Sequence, residues 1–277
     1  MELTGRTAAI TGAASGFGRE IALACARDQM RLVLGDVDET GLAMTAEKAA
    51  ALGAEVATRR CDVSKAEDVA ALAALADERF GGADVVFNNA GVAAAGPAWL
   101  ATLEDWKWVL DVNLMGVVHG IRAFVPAMIA RGRPARVVNT ASIAGLVSPP
   151  GLAVYAASKH AVVALSESLA HDLAMARAPV GVTVLCPGYV RTGIAHAFRN
   201  RPAELAATNP LAPVYGAKIA EIVAASTITA AEVAAAVIQA VRDEVFYVLT
   251  HPGCEADVHA RHTAIEARAA PAVPTMG

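Results

Sequence analysis

Residues 7–26 restrict the fold more than any other stretch of the 277-residue chain. Thr7-Ala8-Ala9-Ile10 reads as a short buried strand, and it runs into Thr11-Gly12-Ala13-Ala14-Ser15-Gly16-Phe17-Gly18. The segment Arg19 to Ala26 that follows is helical in composition. Strand, glycine turn and helix in this order are the context that a dinucleotide fingerprint requires. Gly12 permits the tight turn, Gly16 lets backbone N–H groups approach a pyrophosphate, and Gly18 allows the helix to pack closely on the sheet. The helix N-terminus then offers free donors and the positive end of its dipole to phosphates.

The same alternation continues along the chain. Strands are expected near 7–11, 31–35, 54–60, 83–88, 134–140, 181–186 and 245–249. Helices are expected near 17–28, 39–52, 65–80, 103–131, 153–176 and 229–242. Continuous apolar strands such as Val85-Val86-Phe87 and Val182-Thr183-Val184-Leu185 suit a parallel sheet covered on both faces. The expected fold is therefore α/β: a Rossmann-type, doubly wound, parallel seven-stranded sheet with its ligand beyond the carboxyl ends of the strands. No linker or internal repeat interrupts it, which predicts one domain over residues 1–277.

Composition excludes several alternatives. A net charge of −4 offers no basic face for a phosphate backbone, so no nucleic-acid partner is expected. Cys25, Cys61, Cys186 and Cys254 are scattered without CxxC spacing, and Cys25 in a helix and Cys186 in a strand suit small core residues in a reducing compartment. The start of the chain lacks a basic-then-apolar leader, so a cytoplasmic location is expected. Residues 137–158 carry no charge, but Asn139, Pro149, Pro150 and Gly151 argue against a membrane span there.

Two further features carry chemistry. The strand 31–35 ends at Asp36, eighteen residues beyond Gly18, near the spacing of a ribose-binding acid. A carboxylate there accepts from both adenosine ribose hydroxyls and repels a 2′-phosphate. Ser15 and Val37, where a basic residue would favour that phosphate, are not basic, so NAD is favoured over NADP. The other reading of Asp36 is a turn cap. Tyr155-Ala156-Ala157-Ser158-Lys159 places a phenol and an ammonium four apart on one helix face, thirteen residues after Ser142. A positive charge favours the phenolate, which predicts a tyrosine usable as an acid–base near neutral pH. The chain has five lysines against eighteen arginines, so a lysine in this Ala/Val-rich helix looks chosen. A surface Tyr with a nearby Lys is the other reading of this pair.

Six ordered motifs over residues 3–250 resemble the short-chain dehydrogenase/reductase family. Thr11-Gly12-(x)3-Gly16-x-Gly18 resembles its cofactor loop, Asp62-Val63 its adenine-contacting pair, and Asn88-Asn89-Ala90-Gly91 its turn after the fourth strand. Asn113 stands where the family places a catalytic asparagine. Ser142, Tyr155 and Lys159 match its catalytic core, and Pro187-Gly188-(x)3-Thr192 its nicotinamide segment.

The resemblance implies that Tyr155 exchanges a proton with the substrate oxygen while Ser142 orients it. It gives Lys159 two roles, lowering the tyrosine pKa and binding the nicotinamide ribose. Asn113 would hold a water linking Lys159 to solvent, or else bend its helix for structural reasons. Val190 and Thr192 would fix the carboxamide, and Ser15, Phe17, Asn89, Ala90, Gly91, Pro187 and Gly188 complete the cofactor site. The implied activity interconverts a secondary alcohol and a ketone. Residues 193–226 correspond to the family's variable lid, with Ile194 and Phe198 set against Ala144, Val147, Leu152 and Tyr189. That mostly apolar set favours a hydrophobic small molecule, unless these side chains pack on one another. Two alternatives are an NADPH-dependent 3-oxoacyl reductase, which Asp36 opposes, and a non-catalytic NAD-sensing binding protein, which retention of both Tyr155 and Lys159 opposes.

The remaining features have plainer readings. Arg199 and Arg201 are expected as solvated charge, and Arg19 in solvent or on a carboxylate. Trp99, Trp106 and Trp108 are expected in core or subunit packing. His251, His259 and His262 with Cys254 and Asp257 match no familiar zinc spacing, so no metal is expected. The C-terminal tail spans 251–277, and from Ala269 it is expected to fray or to reach a neighbouring subunit. Helices 103–131 and 153–176 carry Ala123, Val125, Ala164 and Leu165 on more than one face, which predicts a homodimer or homotetramer.

Overall fold

In the computed structural model, which describes residues 1–207 and 209–275, seven parallel strands form one sheet in the order β3-β2-β1-β4-β5-β6-β7. They are β1 (Thr7–Thr11), β2 (Arg31–Asp36), β3 (Val56–Arg60), β4 (Val85–Asn88), β5 (Ala135–Thr140), β6 (Val180–Cys186) and β7 (Tyr247–Leu249). The helices are α1 (Gly16–Arg27), α2 (Glu39–Ala51), α3 (Ala66–Phe80), α4 (Leu103–Leu110), α5 (Gly116–Arg131), α6 (Ala153–Met175), α7 (Ala212–Ala225), α8 (Ala230–Arg242) and α9 (Cys254–Glu266). Each expected strand and helix exists, shifted at its ends by at most two residues. The expected helix 103–131 is one run that stays helical through a wide turn over Asp111–Met115 joining α4 to α5. Lid residues expected without internal structure contain α7.

The sheet is buried on both faces, as the continuous apolar strands require. Ile10, Leu34, Phe87 and Leu185 point into one layer with α1 and α8. Val33, Val86, Val137 and Val182 point into the other with α3 and α5. The chain order reverses between β1 and β4, which are hydrogen-bonded neighbours, so a crevice opens at their carboxyl ends. The charge-free stretch 137–158 resolves into most of β5, a loop and the start of α6. The 103–131 run is long and apolar enough to cross a membrane, but its α5 packs on α3 and on β4 and β5.

The glycine turn behaves as its sequence suggests. Gly12 and Gly16 hold φ of +67° and +53°, which favour glycine. A Cβ on Gly18 would lie 2.0 Å from the Gly12 carbonyl oxygen. The tail differs from expectation. Thr275 folds back on α9, its backbone N–H and hydroxyl donating to the Asp257 carboxylate at 3.0 and 3.1 Å.

Candidate active site

A single cleft of about 750 Å³ runs along the carboxyl ends of the strands, from Asp36 at one end to Tyr155 at the other. Twenty of the predicted site residues line it: Gly12, Ser15, Gly16, Phe17, Asp36, Asp62, Val63, Asn89, Ala90, Gly91, Ser142, Ala144, Leu152, Tyr155, Lys159, Pro187, Gly188, Tyr189, Val190 and Thr192. Ile194 and Phe198 join them from the segment after Thr192. Gly18 and Asn113 stand behind the wall.

The adenosine end is built on Asp36. Its Oδ2 accepts from the Ala14 N–H at 2.8 Å and its Oδ1 from the Asp38 N–H at 2.9 Å. Each oxygen keeps a second lone pair for a ligand hydroxyl. Burial raises the Asp36 pKa, and the backbone donors of Asp38 and Ala14 oppose that rise. Ser15 stands at the N-cap of α1 with no side-chain cap, and no acid occupies the first turn. The donors of that helix end are thus left for an anion. Asn89 ties the neighbouring strand ends together, its Nδ2 donating to the Thr11 carbonyl at 3.0 Å. Asp62 Oδ1 accepts from the Ser64 backbone and hydroxyl at 3.1 and 2.7 Å. These features fit a dinucleotide: a glycine cradle that a Cβ would fill, an open helix end and a half-satisfied carboxylate.

Arg19 is half-buried and not on a carboxylate. Its guanidinium donates to the Ala14 carbonyl and, at 3.3 Å, to the Thr45 hydroxyl. Sequence reasoning missed Arg60, which is paired in register with Asp36 on the next strand and also lines the cleft. Its guanidinium sits 3.8 Å from Asp68. The alternating strand period was the only signal for it, since β3 carries Arg59 and Arg60 together.

The reacting end is assembled by α6 and the loop after β5. Ser142 Oγ accepts from the Ala144 N–H at 3.1 Å and donates to the Pro187 carbonyl at 3.3 Å. Lys159 is buried and donates through Nζ to the Thr140 carbonyl at 2.7 Å. Its Nζ lies 5.6 Å from the centre of the Tyr155 ring. The expected fall in the tyrosine pKa is not what the protein alone produces. Burial pushes the Tyr155 phenol up to about 12, opposed by hydrogen bonding with Ser142. Burial likewise pushes the Lys159 ammonium down to about 8. In both groups burial is the largest cause, because it disfavours the charged form.

A stability prediction follows from the lysine. Between about 8 and the ordinary lysine value of about 10.4, the unfolded chain binds more protons at this site than the folded one. Stability therefore rises with pH across that window, and the penalty of burying the charge is complete below it. Lys159→Met is expected to stabilise the cofactor-free protein at about pH 7, and this advantage should shrink by about pH 10. Urea midpoints at both pH values check this, and a gap that does not change with pH contradicts it.

Asn113 is fully buried in the wide turn between α4 and α5. Its Oδ1 accepts from the Val92 N–H at 2.8 Å. Its Nδ2 donates to the Val92 carbonyl at 2.9 Å and to the Ser158 hydroxyl at 3.0 Å. The amide thus joins the loop after β4 to α6, and it is these protein groups, not the cleft, that it faces.

The outer wall corrects two expectations. Val147 is buried in a cluster with Ile143 and Ala156 and does not line the cleft. Trp108 packs in a buried cluster with Val109 and Val154, as expected, and also lines the cleft, 5.5 Å from the Phe198 ring. The Arg201 side chain is only 3% exposed and binds Asp105, itself 1% exposed, at 2.6 Å. The guanidinium stacks over Trp108 and Phe198 at 5.0 and 5.4 Å. Arg199 is exposed and donates to the Gly193 and His196 carbonyls at 3.0 Å. Trp99 remains 83% exposed on this chain. Among the described residues, no group of three His, Cys, Asp or Glu side chains is arranged to hold a metal ion.

Comparison with known proteins agrees with this geometry. The family model for short chain dehydrogenases matches residues 6–203. The crystal structure of a short chain dehydrogenase/reductase from Burkholderia phymatum in complex with NAD superposes with a TM-score of 0.96. It is 46% identical, and the match covers 99% of both chains. A CLA biosynthesis dehydrogenase/reductase of Lactiplantibacillus plantarum is 38% identical over 88% of this chain and 87% of its own. A 1-deoxy-11-beta-hydroxypentalenate dehydrogenase of Streptomyces avermitilis is 44% identical over 69% of this chain and 71% of its own. A seven-stranded parallel sheet of this order, a glycine cradle and a Ser/Tyr/Lys cluster at its carboxyl edge are accounted for together: the chain belongs to the short-chain dehydrogenase family and is an oxidoreductase.

Proposed function

We propose that the protein is an NAD-dependent oxidoreductase that interconverts a secondary alcohol and a ketone on a hydrophobic small molecule. The observation that carries this reading is the placement of Asp36 and of Ser142, Tyr155 and Lys159 at opposite ends of one cleft. When bound, the dinucleotide would supply hydride exchange, held by Asp36, the glycine turn and Lys159. Tyr155 gives its phenolic proton to the carbonyl oxygen in reduction and takes one from the alcohol in oxidation. With its pKa near 12 in the protein alone, the phenol holds its proton at neutral pH, ready to donate. The Ser142 hydroxyl fixes the substrate oxygen, and Lys159 keeps a positive charge against the phenol ring. Asn113 acts behind them by locking Val92 to α6.

Residues 193–226 form the substrate lid over this end, fixed near its start by Arg201. Ala144, Leu152, Tyr189, Ile194, Phe198 and Trp108 give the substrate a mainly apolar wall. The hydroxylated substrate named for the Streptomyces relative supports alcohol chemistry. The test is formation of reduced nicotinamide from NAD with a panel of secondary alcohols.

Cofactor choice rests on the Asp36 carboxylate. Like charges in close contact lead us to expect a preference for NAD of roughly ten- to a thousandfold. Arg60 at the same end is the one observation that favours a 2′-phosphate, so Asp36→Ala with Val37→Arg should move preference toward NADP. kcat/KM with both cofactors for both proteins decides this, and a wild type that favours NADP sinks the reading of Asp36.

The described chain also leaves Met115 and Ile129 exposed on the α4–α5 side and Ala164 on α6. We expect these faces to meet in a homodimer or homotetramer. Light scattering at micromolar concentration checks it, and a protein that is only monomeric contradicts it.

A further inference from the structure

His251 stands two residues past the end of β7 and does not line the cleft. It is buried, and both ring nitrogens are engaged with one short segment on the far side of the sheet edge. Nδ1 accepts from the Gly188 N–H at 3.0 Å, and the Thr250 hydroxyl lies 2.9 Å from the same nitrogen. Nε2 lies 2.8 Å from the Tyr189 carbonyl, to which it donates. An acceptor at Nδ1 and a donor at Nε2 define the neutral ring with its hydrogen on Nε2.

The position explains the residue. The pairing of β6 with β7 ends at Cys186 and Leu249, so Gly188 and Tyr189 lie beyond the last ladder bond. The imidazole continues the pairing there, with Nδ1 in the place of a carbonyl and Nε2–H in the place of a backbone amide. The ring face also packs on Gly188, where a Cβ would come within 2.8 Å of His251 Cγ.

The segment it holds is the wall of the cleft. On its inner side, the Pro187 carbonyl accepts from the Ile143 N–H at 2.9 Å and from Ser142 Oγ at 3.3 Å. On its outer side, the Tyr189 carbonyl receives the Ser226 hydroxyl at 2.6 Å as well as His251. Ser226 caps the C-terminus of α7, so the same carbonyl also anchors the end of the lid. We infer that His251 is a positioning residue for the nicotinamide side of the cleft, acting through Gly188 and Tyr189. This rests on the reading of residues 187–192 as that side.

The test compares two probes of the intact protein, NAD and AMP, by calorimetry. AMP reaches only the adenosine end around Asp36. His251→Phe keeps the ring shape and removes both hydrogen bonds. It is expected to weaken NAD about tenfold and leave AMP within about twofold. His251→Asn, whose Oδ1 stands near the place of Nδ1, should recover part of the NAD affinity. Should the phenylalanine variant not fold, His251→Gln decides, since its amide stands at the place of Nε2 and leaves no acceptor at the place of Nδ1 for Gly188; it must still weaken NAD several-fold with AMP unchanged. Variants that bind NAD as tightly as wild type, or lose NAD and AMP alike, overturn the inference while leaving the proposed function standing. A wild type that binds neither probe overturns both.

Discussion

Tyr155→Phe is expected to lower turnover by roughly 10²–10⁴-fold, the usual worth of a positioned general acid–base. NAD affinity should stay close to wild type, because the substitution removes one hydroxyl from the reacting end and nothing from the adenosine end. The environment of the phenol gives the expectation its force. Ser142 is the hydrogen-bonding neighbour that restrains the upward push of burial, and Lys159 places a cation 5.6 Å from the ring. A phenylalanine keeps that packing and loses the proton. Lys159→Ala differs: it should reduce both rate and cofactor affinity, since the lysine is assigned to both. Steady-state rates with tight-binding controls check this, and a Tyr155→Phe enzyme with near-wild-type turnover contradicts the assignment.

Arg201→Ala is expected to destabilise the protein by about 3–5 kcal/mol, the range for removing one member of a buried ion pair. Its partner Asp105 belongs to α4, is almost fully buried, and cannot reach solvent when the arginine is gone. Asp105 also accepts from the Thr102 N–H at 3.1 Å in the cap of α4, so the orphaned carboxylate stays where the helix start holds it. The arginine additionally donates to the Leu205 and Ala207 carbonyls and covers two aromatic rings. Arg201→Lys should restore little, because an ammonium lacks the planar fork and the stacking face. Urea midpoints for the wild type, both single variants and the double variant with Asp105→Ala test this. A loss below about 1 kcal/mol for Arg201→Ala contradicts it.

The two arginines of the lid show what the sequence could not disclose. Arg199 and Arg201 are two residues apart and look alike, yet one is exposed and the other is clamped to a residue 96 positions earlier. The clamp depends on where the lid crosses α4, and no local period encodes that crossing. His251 is similar: its partners lie 62 and 63 residues away, on the loop that leaves β6. By contrast, Gly12, Gly16 and Gly18 were legible because backbone sterics act within a few residues. Tyr155 and Lys159 were legible because 3.6 residues per turn put them on one helix face. Their relation in sequence did not reveal burial, which pushes the Tyr155 phenol up in the protein alone. The seven strands were legible because a doubly wound sheet repeats one local pattern, whereas the lid contains α7 in a segment whose composition resembles its loops.

Oxidation of a secondary alcohol by this cleft, with NAD as acceptor, is tested by the rise of reduced-nicotinamide absorbance when the protein meets a panel of hydrophobic secondary alcohols, with NAD and NADP run side by side. Turnover of at least one apolar alcohol is expected, with kcat/KM higher for NAD and with activity lost in Tyr155→Phe. No turnover of any alcohol, or of the matching ketones in reverse, with a protein that binds NAD would contradict it.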